Sequence, residues 1–293
     1  MPVIAVVNRK GGSGKSTLAT SIAGYCANAG LRVMLGDLDR QQSTQTWLRR
    51  RATQALPRSQ PIVGWAVDAK SVLRPPTGIS HAVIDTPGGM RGFELARVAV
   101  WADAILMPVC HSAFDRESAL ECYQEMMTLP RVASGRCRVA AVGMRLDMRT
   151  KATAVLALWA MNHKIPFIGA LREAQTYVQC ADTGLTLFDL PQSKVKPDLE
   201  QWRPILDWLG PAIEPVAATS KVTDAKDILG GSPAGSTPPR PATVPPRRPA
   251  MTLSRHHDVP DGVLEAPPSS GLATRLGGLL DSLSLRRRPR SGR

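Results

Sequence analysis

The sequence predicts an α/β fold in which a doubly wound, mostly parallel sheet carries helices on both faces. Short runs rich in apolar and β-branched residues alternate with longer helix-like segments over residues 1–212. Several of these runs are apolar throughout instead of alternating between apolar and polar residues. Strands of that kind are typical of parallel sheets that are buried between two layers of helices.

The alternation of the two kinds of segment places each element. Continuous apolar runs bounded by turn residues predict strands at 3–7, 32–35, 62–67, 82–84, 104–109, 138–144 and 167–168. Between them we expect helices near 15–29, 91–101, 115–128, 151–163, 172–181 and 198–209. The regular order of strand and helix supports one sheet, because each helix can return the chain to the start of the next parallel strand.

The composition changes sharply near residue 212. Of the 25 prolines, 12 lie between residues 213 and 293, and residues 230–249 consist almost wholly of Pro, Gly, Ala, Ser, Thr and Arg. Such a segment cannot bury enough apolar surface to offset the entropy of ordering it. We therefore expect a folded domain over 1–212, a disordered proline-rich linker over 213–268 and a short amphipathic, arginine-rich segment over 269–293.

The charge balance and the cysteines narrow the class of protein. There are 37 Lys and Arg residues against 24 Asp and Glu, a net charge of +13, which favours nucleic acid or an anionic membrane as a partner. The 5 cysteines form no CxxC pair, which argues against a disulfide framework and a zinc site. No charged-then-apolar leader follows Met1, and no apolar run approaches the ~18 residues of a membrane span. We expect a cytoplasmic protein.

A glycine-rich loop follows the first predicted strand directly and leads into an alanine-rich helix. Its glycines allow backbone N–H groups to surround phosphate oxygens, and the helix N-terminus adds donors and partial positive charge. We expect Lys15 to reach the β- and γ-phosphates of a nucleotide and Ser16 to offer its hydroxyl to Mg²⁺. The residues assigned to nucleotide binding are Lys10, Gly11, Gly12, Ser13, Gly14, Lys15, Ser16 and Thr17.

This loop departs from the strict phosphate-loop pattern at Arg9, where that pattern has glycine. With its second lysine, Lys10, it reads K-G-G-x-G-K-[ST] and resembles the deviant Walker A motif of the ParA/MinD family of P-loop ATPases; the likeness extends over roughly residues 1–209. The resemblance implies a Mg²⁺-dependent ATP hydrolase that forms a homodimer with ATP. It also implies that Lys10 reaches across to the partner's nucleotide, where an added cation would stabilise charge on the γ-phosphate.

Two later strands end in carboxylates. Asp37 and Asp39 share one side of a strand end, at the carboxyl edge where such sheets bind ligands. Their segment is similar to the family's D-x-D-P-Q switch, with Arg40 in place of the proline. The resemblance implies that Asp39 joins Lys10 and Lys15 as a catalytic residue by orienting the attacking water, and that Asp37 is an outer-shell partner of Mg²⁺.

Asp85 follows the apolar run at 82–84 and matches a Walker B aspartate, which holds Mg²⁺ through a water. With Ser16 and Asp37 it completes the residues that we assign to the metal. The following residues 86–89 read T-P-G-G, a composition suited to a segment that moves when the γ-phosphate is bound or lost.

Two downstream segments also follow the family layout. Residues 143–150 correspond to a segment in which an asparagine often reads the adenine edge, but no asparagine occurs there, so adenine recognition is left open. In ParA-like relatives, basic residues further on hold the DNA backbone without reading its sequence, which gives salt-dependent affinity. The matching DNA-binding candidates are Arg172, Lys194, Lys196 and Arg203.

The C-terminal segment permits three interpretations. Five leucines fall on one face of a helix and are followed by five arginines: Leu272, Leu276, Leu279, Leu280 and Leu283, then Arg286, Arg287, Arg288, Arg290 and Arg293. This pattern fits a membrane-surface helix of the MinD kind. It also fits a helix that binds a protein partner, or an arginine-rich tail that binds DNA.

The leading hypothesis is an ATPase switch that partitions DNA, or positions a large cellular cargo, through ATP-regulated non-specific DNA binding at the nucleoid. Its turnover is expected to be slow unless an activating partner, ParB-like or a cargo adaptor, stimulates it. The alternative is a MinD-like positioning ATPase that uses residues 269–293 to bind the membrane. Metabolic and redox relatives are disfavoured, because the sequence has neither cluster cysteines at fixed spacing nor a second phosphate loop.

Overall fold

The computed structural model describes residues 1–66 and 76–213. Within these ranges, seven strands form one sheet in which every neighbouring pair is parallel, in the order β3-β2-β4-β1-β5-β6-β7. The strands are β1 (Val3–Val6), β2 (Val33–Asp37), β3 (Val63–Ala66), β4 (His81–Asp85), β5 (Ala104–Val109), β6 (Arg138–Leu146) and β7 (Phe167–Arg172). The prediction of a doubly wound parallel sheet is confirmed.

The helices divide between the two faces of the sheet. Those of the described ranges are α1 (Lys15–Asn28), α2 (Ser43–Arg51), α3 (Gly92–Trp101), α4 (Ala113–Met127), α5 (Pro130–Ala133), α6 (Ala152–Asn162), α7 (Gln175–Thr183) and α8 (Gln192–Ile213), with a 3₁₀ turn over Leu187–Asp189. Buried residues of α3 to α6 form one apolar cluster with the sheet, and those of α1, α2, α7 and α8 form the other. Strands β1, β2, β4 and β5 are therefore buried along their whole length, as their apolar sequences predict.

Helix α2 is absent from the sequence prediction. It buries only Thr44, Trp47 and Arg51, and two of these three inward residues are polar. An apolar stripe, which is the main signal for an amphipathic helix, is therefore missing. The residue before the helix, Gln42, has a left-handed backbone with φ of 50°, which a sequence pattern does not indicate.

The boundary between β7 and α7 corrects a second prediction. The sequence predicts a strand at 167–168 and a helix at 172–181, whereas β7 continues to Arg172 and α7 begins at Gln175. The intermediate burial of most β7 residues explains the error, because this edge strand lacks the continuous apolar run of the central strands.

Helix α8 is longer than the predicted 198–209. It contains Pro197, Pro204 and Pro211, and a spacing of seven residues places all three on one exposed face. There, carbonyl groups that lose a helical N–H partner can be hydrated. The helix ends at the opposite edge of the sheet from the strand C-termini, where His81 Nε2 lies 2.9 Å from the carbonyl oxygen of Ile213.

The predicted linker and the C-terminal segment lie outside the described residues, apart from Ile213, which closes α8. The same holds for the leucine and arginine pattern of 269–293 and for its three interpretations. In the described ranges, no helix has the length and apolar content needed to cross a bilayer.

Candidate functional site

Three neighbouring strands bring the predicted site residues together. The phosphate loop follows β1, while Asp85 ends β4 and Asp37 ends β2. The register pairs Val6 with Asp85, and Asp85 with Asp37, so the two carboxylates lie side by side at the carboxyl edge. This is the edge where open parallel sheets bind ligands.

Two glycines give the phosphate loop its shape. Gly12 and Gly14 have φ of 75° and 94°, values that side chains larger than glycine rarely adopt. A Cβ on Gly14 would also lie 2.8 Å from the Cε atom of Met144. The loop therefore packs against β6, in the region where the family resemblance placed adenine recognition.

The two loop lysines have opposite environments. Lys15 begins α1 and is only 7% exposed, and its Nζ donates to the backbone oxygen of Lys10 at 3.1 Å. Burial lowers the pKa of Lys15, and the carboxylates of Asp85 and Asp39 oppose this effect. The side chain of Lys10, by contrast, is exposed to solvent.

A residue that the sequence did not indicate anchors the base of the loop. Asn8 is fully buried; its Nδ2 donates to the carbonyl of Pro108 at 2.5 Å, and its Oδ1 accepts from the Lys10 amide at 3.1 Å. Asn8 thus ties the loop to β5 and fixes the backbone of Lys10. Its position directly after an apolar strand was the available signal, since a buried amide needs partners on both its oxygen and its nitrogen.

Asp85 is a buried carboxylate with unsatisfied oxygens. It is 1% exposed, and neither oxygen has a hydrogen-bond partner within the described residues. Burial, aided by the nearby Asp37, raises the pKa of Asp85 to about 7, although the adjacent Ser16 hydroxyl and the charge of Lys15 oppose the shift. A bound cation would compensate this charge.

The residues at this position fit a magnesium ion. Ser16 adjoins Asp85, and the buried Ser13 hydroxyl also has no partner among residues 1–66 and 76–213. No group of three or more His, Cys, Asp or Glu side chains in those ranges could form a complete protein cage for a metal. Mg²⁺ is commonly held by one or two side chains together with substrate phosphates and waters, which agrees with this sparse arrangement.

Asp37 accepts three hydrogen bonds from the segment that follows β2. Its Oδ1 accepts from the Asp39 amide at 2.9 Å, and its Oδ2 accepts from the amide and the hydroxyl of Thr44 at 3.0 and 2.6 Å. The carboxylate therefore caps α2 and orders the loop that carries Asp39. Asp39 itself is half-buried and accepts from the Gln41 amide at 3.0 Å.

The segment after Asp85 is fastened to the phosphate loop. The Thr86 hydroxyl donates to the Val6 carbonyl at 2.7 Å, and the Gly89 amide donates to the carbonyl of Arg9 at 2.6 Å. A Cβ on Gly88 would lie only 3.4 Å from backbone atoms of Gly11. The predicted mobile segment 86–89 thus packs directly on the loop that would surround phosphate.

The DNA-binding candidates do not form one basic surface. Arg172 ends β7 and makes a two-point ion pair with the buried Asp198, through Nε–Oδ1 at 2.6 Å and Nη2–Oδ2 at 3.0 Å. Lys196 and Arg203 share a groove of α8 with an equal number of acidic side chains, Glu200 and Asp207.

Lys194 lies outside that group, although it is exposed on the first turn of the same helix. Lys194 and Lys196 are two positions apart, and in a helix this spacing directs two side chains to nearly opposite faces. The structure therefore separates the four candidates into a partly exposed arginine paired with a buried aspartate, a charge-balanced face and one lysine outside that face.

Comparisons with known proteins identify the family of the chain. The family described as CobQ/CobB/MinD/ParA nucleotide binding domain matches residues 4–283. Maintenance of carboxysome distribution protein A from Gloeobacter kilaueensis is 31% identical over 193 residues, which cover 63% of this chain and 83% of that protein.

Two solved structures share the fold. The McdA–ATP complex from Cyanothece has a TM-score of 0.54 at 16% identity, over 73% of this chain and 96% of that chain. A chain of the MinC:MinD cell division complex from Aquifex aeolicus has a TM-score of 0.53 at 16% identity, over 71% and 95%. With the match over residues 4–283 and the phosphate loop between β1 and α1, these findings show that the chain belongs to the CobQ/CobB/MinD/ParA family and is a P-loop ATPase of the ParA/MinD type.

Proposed function

We propose that the chain is a switch that pairs with a second copy when it binds ATP and thereby positions a large cargo. The contrast between the two loop lysines carries this proposal. Lys15 is buried within its own site, whereas Lys10 is exposed on a backbone that Asn8 holds in place. An exposed, anchored cation at the rim of a phosphate site can serve the nucleotide of a facing subunit.

The buried residues have distinct roles in this proposal. Lys15 neutralises phosphate charge from inside the loop, and Asp39 orients the attacking water from the half-buried loop after β2. Ser16 and Asp85 would hold Mg²⁺, which supplies charge compensation on the phosphate oxygens when it is bound. Asp37 acts indirectly, because its hydrogen bonds to Thr44 and to the Asp39 amide set the position of Asp39.

The same arrangement favours slow turnover by an isolated subunit. If Lys10 completes the site of the partner, a single chain lacks one of the cations that stabilise the transition state. Hydrolysis would then require pairing and would respond to a partner protein that adjusts the paired state. An activating adaptor on the cargo, ParB-like in function, fits this requirement.

We infer a large assembly or DNA as the cargo from the relatives, one of which is named for carboxysome distribution. Non-specific DNA binding at the nucleoid of a cytoplasmic protein remains part of the proposal. Its candidate contacts are the exposed Lys194, Lys196 and Arg203, whereas Arg172 is assigned to the fold because it neutralises the buried Asp198. Fluorescence localisation of the tagged chain tests this assignment, since a membrane signal would favour the MinD-like alternative.

Light scattering coupled to size exclusion tests the pairing directly. With ATP and Mg²⁺, Asp39→Ala should accumulate as a dimer, and with ADP it should remain a monomer. Lys10→Ala should bind nucleotide without pairing, and Lys15→Ala should lose nucleotide. The neighbouring Arg40→Ala, which changes an exposed cation, is the matched control and should pair normally. A monomeric Asp39→Ala protein at saturating ATP would refute the switch.

A further inference from the structure

Arg9, the residue that departs from the strict phosphate-loop pattern, directs its side chain away from the loop. Its Nη1 lies 3.0 Å from Glu121 Oε2, and its Nη2 contacts Glu125 Oε2. Both carboxylates belong to α4, one turn apart. Through its guanidinium, Arg9, which directly precedes Lys10, is therefore joined to α4, a helix with no other predicted role in the site.

Glu125 makes a second contact that Glu121 does not. Its Oε1 accepts from the amide of Gly92, the first residue of α3, at 2.5 Å. The Gly89 amide meanwhile donates to the carbonyl of Arg9 at 2.6 Å. The segment between Asp85 and α3 is thus joined to Arg9 twice, once directly through Gly89 and once through Glu125.

The charges and the backbone support a specific coupling. Burial would raise the pKa of Glu125, but the Gly92 amide and the Arg9 guanidinium lower it overall, so the carboxylate is ionised and its hydrogen bonds are charge-assisted. Gly89 and Gly92 have φ of 79° and 57°. Glycines at both points allow the segment between them to change conformation with little steric penalty.

We propose that Glu125 is a positioning residue that couples the phosphate loop to the segment 86–91, so that the two move together when subunits pair. This inference rests on the proposed ATP-dependent pairing. Because Arg9 adjoins Lys10, a displacement of Lys10 towards a second copy pulls on Glu125 and hence on the start of α3. Glu125 acts through Arg9 and Gly92 and does not contact the nucleotide itself.

The full chain offers a matched pair of variants. Glu125→Gln removes the charge that holds both Arg9 and Gly92, whereas Glu121→Gln weakens only the exposed contact to Arg9, since Glu121 is 69% exposed. The rate of amide hydrogen exchange in peptides that span 86–92 measures how firmly Glu125 holds this segment. The dissociation constant of the dimer in ATP measures whether that hold contributes to pairing. ADP affinity controls for the integrity of the loop.

Glu125→Gln should increase the rate of exchange over 86–92 by about tenfold or more, and it should raise the dissociation constant of the dimer by a similar factor. This is the factor expected for the loss of one charge-assisted hydrogen bond. ADP affinity should stay within about twofold, because the phosphate-binding groups are retained. Glu121→Gln should behave as the unaltered chain. Equal exchange and equal pairing in the two variants would overturn the inference.

If Glu125→Gln fails to fold, Glu125→Asp replaces it: the shorter carboxylate keeps its charge but cannot span Arg9 and Gly92, and it should give the same increase in exchange. Unchanged exchange in that variant also overturns the coupling. If the unaltered chain does not pair in ATP, the proposed function fails, while the exchange comparison still decides whether Glu125 holds the segment.

Discussion

Arg51 and Asp189 form a two-point ion pair in the interior, with Nη1–Oδ2 at 2.7 Å and Nη2–Oδ1 at 2.9 Å. Their side chains are 6% and 0% exposed. Asp189 also accepts hydrogen bonds from Asn28 and Thr186. The pair fastens the end of α2 to the 3₁₀ turn and, through Asn28, to α1.

Asp189→Asn should therefore destabilise the fold strongly. It leaves the Arg51 charge buried without a counter-ion, and removing one partner of a buried pair costs about 3–5 kcal/mol. Urea denaturation of the chain without nucleotide measures the change in the free energy of unfolding. Arg49→Gln, on the exposed side of the same helix, is the control and should stay within about 0.5 kcal/mol. Similar values for the two variants would contradict this account.

The same pair predicts an acid transition. Burial alone would raise the pKa of Asp189, but hydrogen bonds from Arg51, Asn28 and Thr186 lower it overall. A carboxylate with a lowered folded-state pKa adds stability above its unfolded pKa of about 3.9, and this stability is lost as the pH falls below that value. The free energy of unfolding of the unaltered chain should therefore fall more steeply than that of Asp189→Asn as the pH is lowered below about 4. Parallel pH profiles would show that Asp189 does not contribute.

At Asp85 we expect a substitution that stabilises the fold to impair the binding of Mg²⁺ and ATP. Asp85→Asn removes a buried carboxylate without hydrogen-bond partners that faces Asp37. Without ligand, this variant should be more stable at pH 8 by on the order of 1 kcal/mol, a modest gain because Lys15 also loses a neighbouring charge. Thermal denaturation should show the gain, together with loss of the extra stabilisation that Mg²⁺ and ATP give the unaltered chain. Asp39→Asn, which is half-buried, should show no such gain; a less stable Asp85→Asn would refute the prediction.

Arg172 should behave as a residue of the fold. Arg172→Gln leaves the Asp198 carboxylate, which is 1% exposed, without its cation. We expect a loss of about 2–4 kcal/mol, below the full value for a buried pair because the arginine is 40% exposed. Calorimetric unfolding compares this variant with Arg203→Gln, whose exposed side chain should matter little. If Arg172→Gln were as stable as the unaltered chain, Arg172 would again be a candidate for DNA binding.

DNA binding gives a prediction of its own. If α8 contacts phosphates, the double variant Lys196→Glu/Arg203→Glu should weaken ATP-dependent binding of duplex DNA by the full chain for every sequence tested. It should also reduce the slope of log K against log salt by about 2, one for each lost phosphate contact. Filter binding at several salt concentrations measures both. An unchanged slope would exclude this face, which its acidic neighbours already keep near neutrality.

Much of this architecture follows from local patterns. The central strands β1, β2, β4 and β5 were predictable because each is buried along its whole length, and the phosphate loop was predictable because its glycines and lysines have a fixed spacing. Because β2, β4 and β1 are neighbouring parallel strands, Asp37, Asp85 and the phosphate loop all lie at one edge of the sheet. The strands and the phosphate loop can be identified from residues that are close together in the sequence.

What could not be predicted depends on contacts between distant parts of the chain. Asn8 acquires its role from Pro108, 100 residues away, and Arg9 from Glu125, at a separation of 116. Likewise, Arg172 matched the DNA-binding positions of the family, but its partner Asp198 comes from another element. Helix α2 was missed for the same reason, because the two polar side chains that it buries, Thr44 and Arg51, are stabilised by Asp37 and Asp189 rather than by apolar periodicity.

The hydrogen bond between His81 and Ile213 lies at one of two opposite edges of the sheet, here called its poles. It fixes the last turn of α8 at the amino ends of the strands, whereas every residue assigned to nucleotide lies at their carboxyl ends. A five-residue strand such as β4 separates the poles by roughly 15 Å. The polypeptide that follows Ile213 therefore starts from the pole opposite to the phosphate loop. If two subunits pair through their phosphate-loop edges, as proposed above, Ile213 of each subunit lies at the edge turned away from the partner.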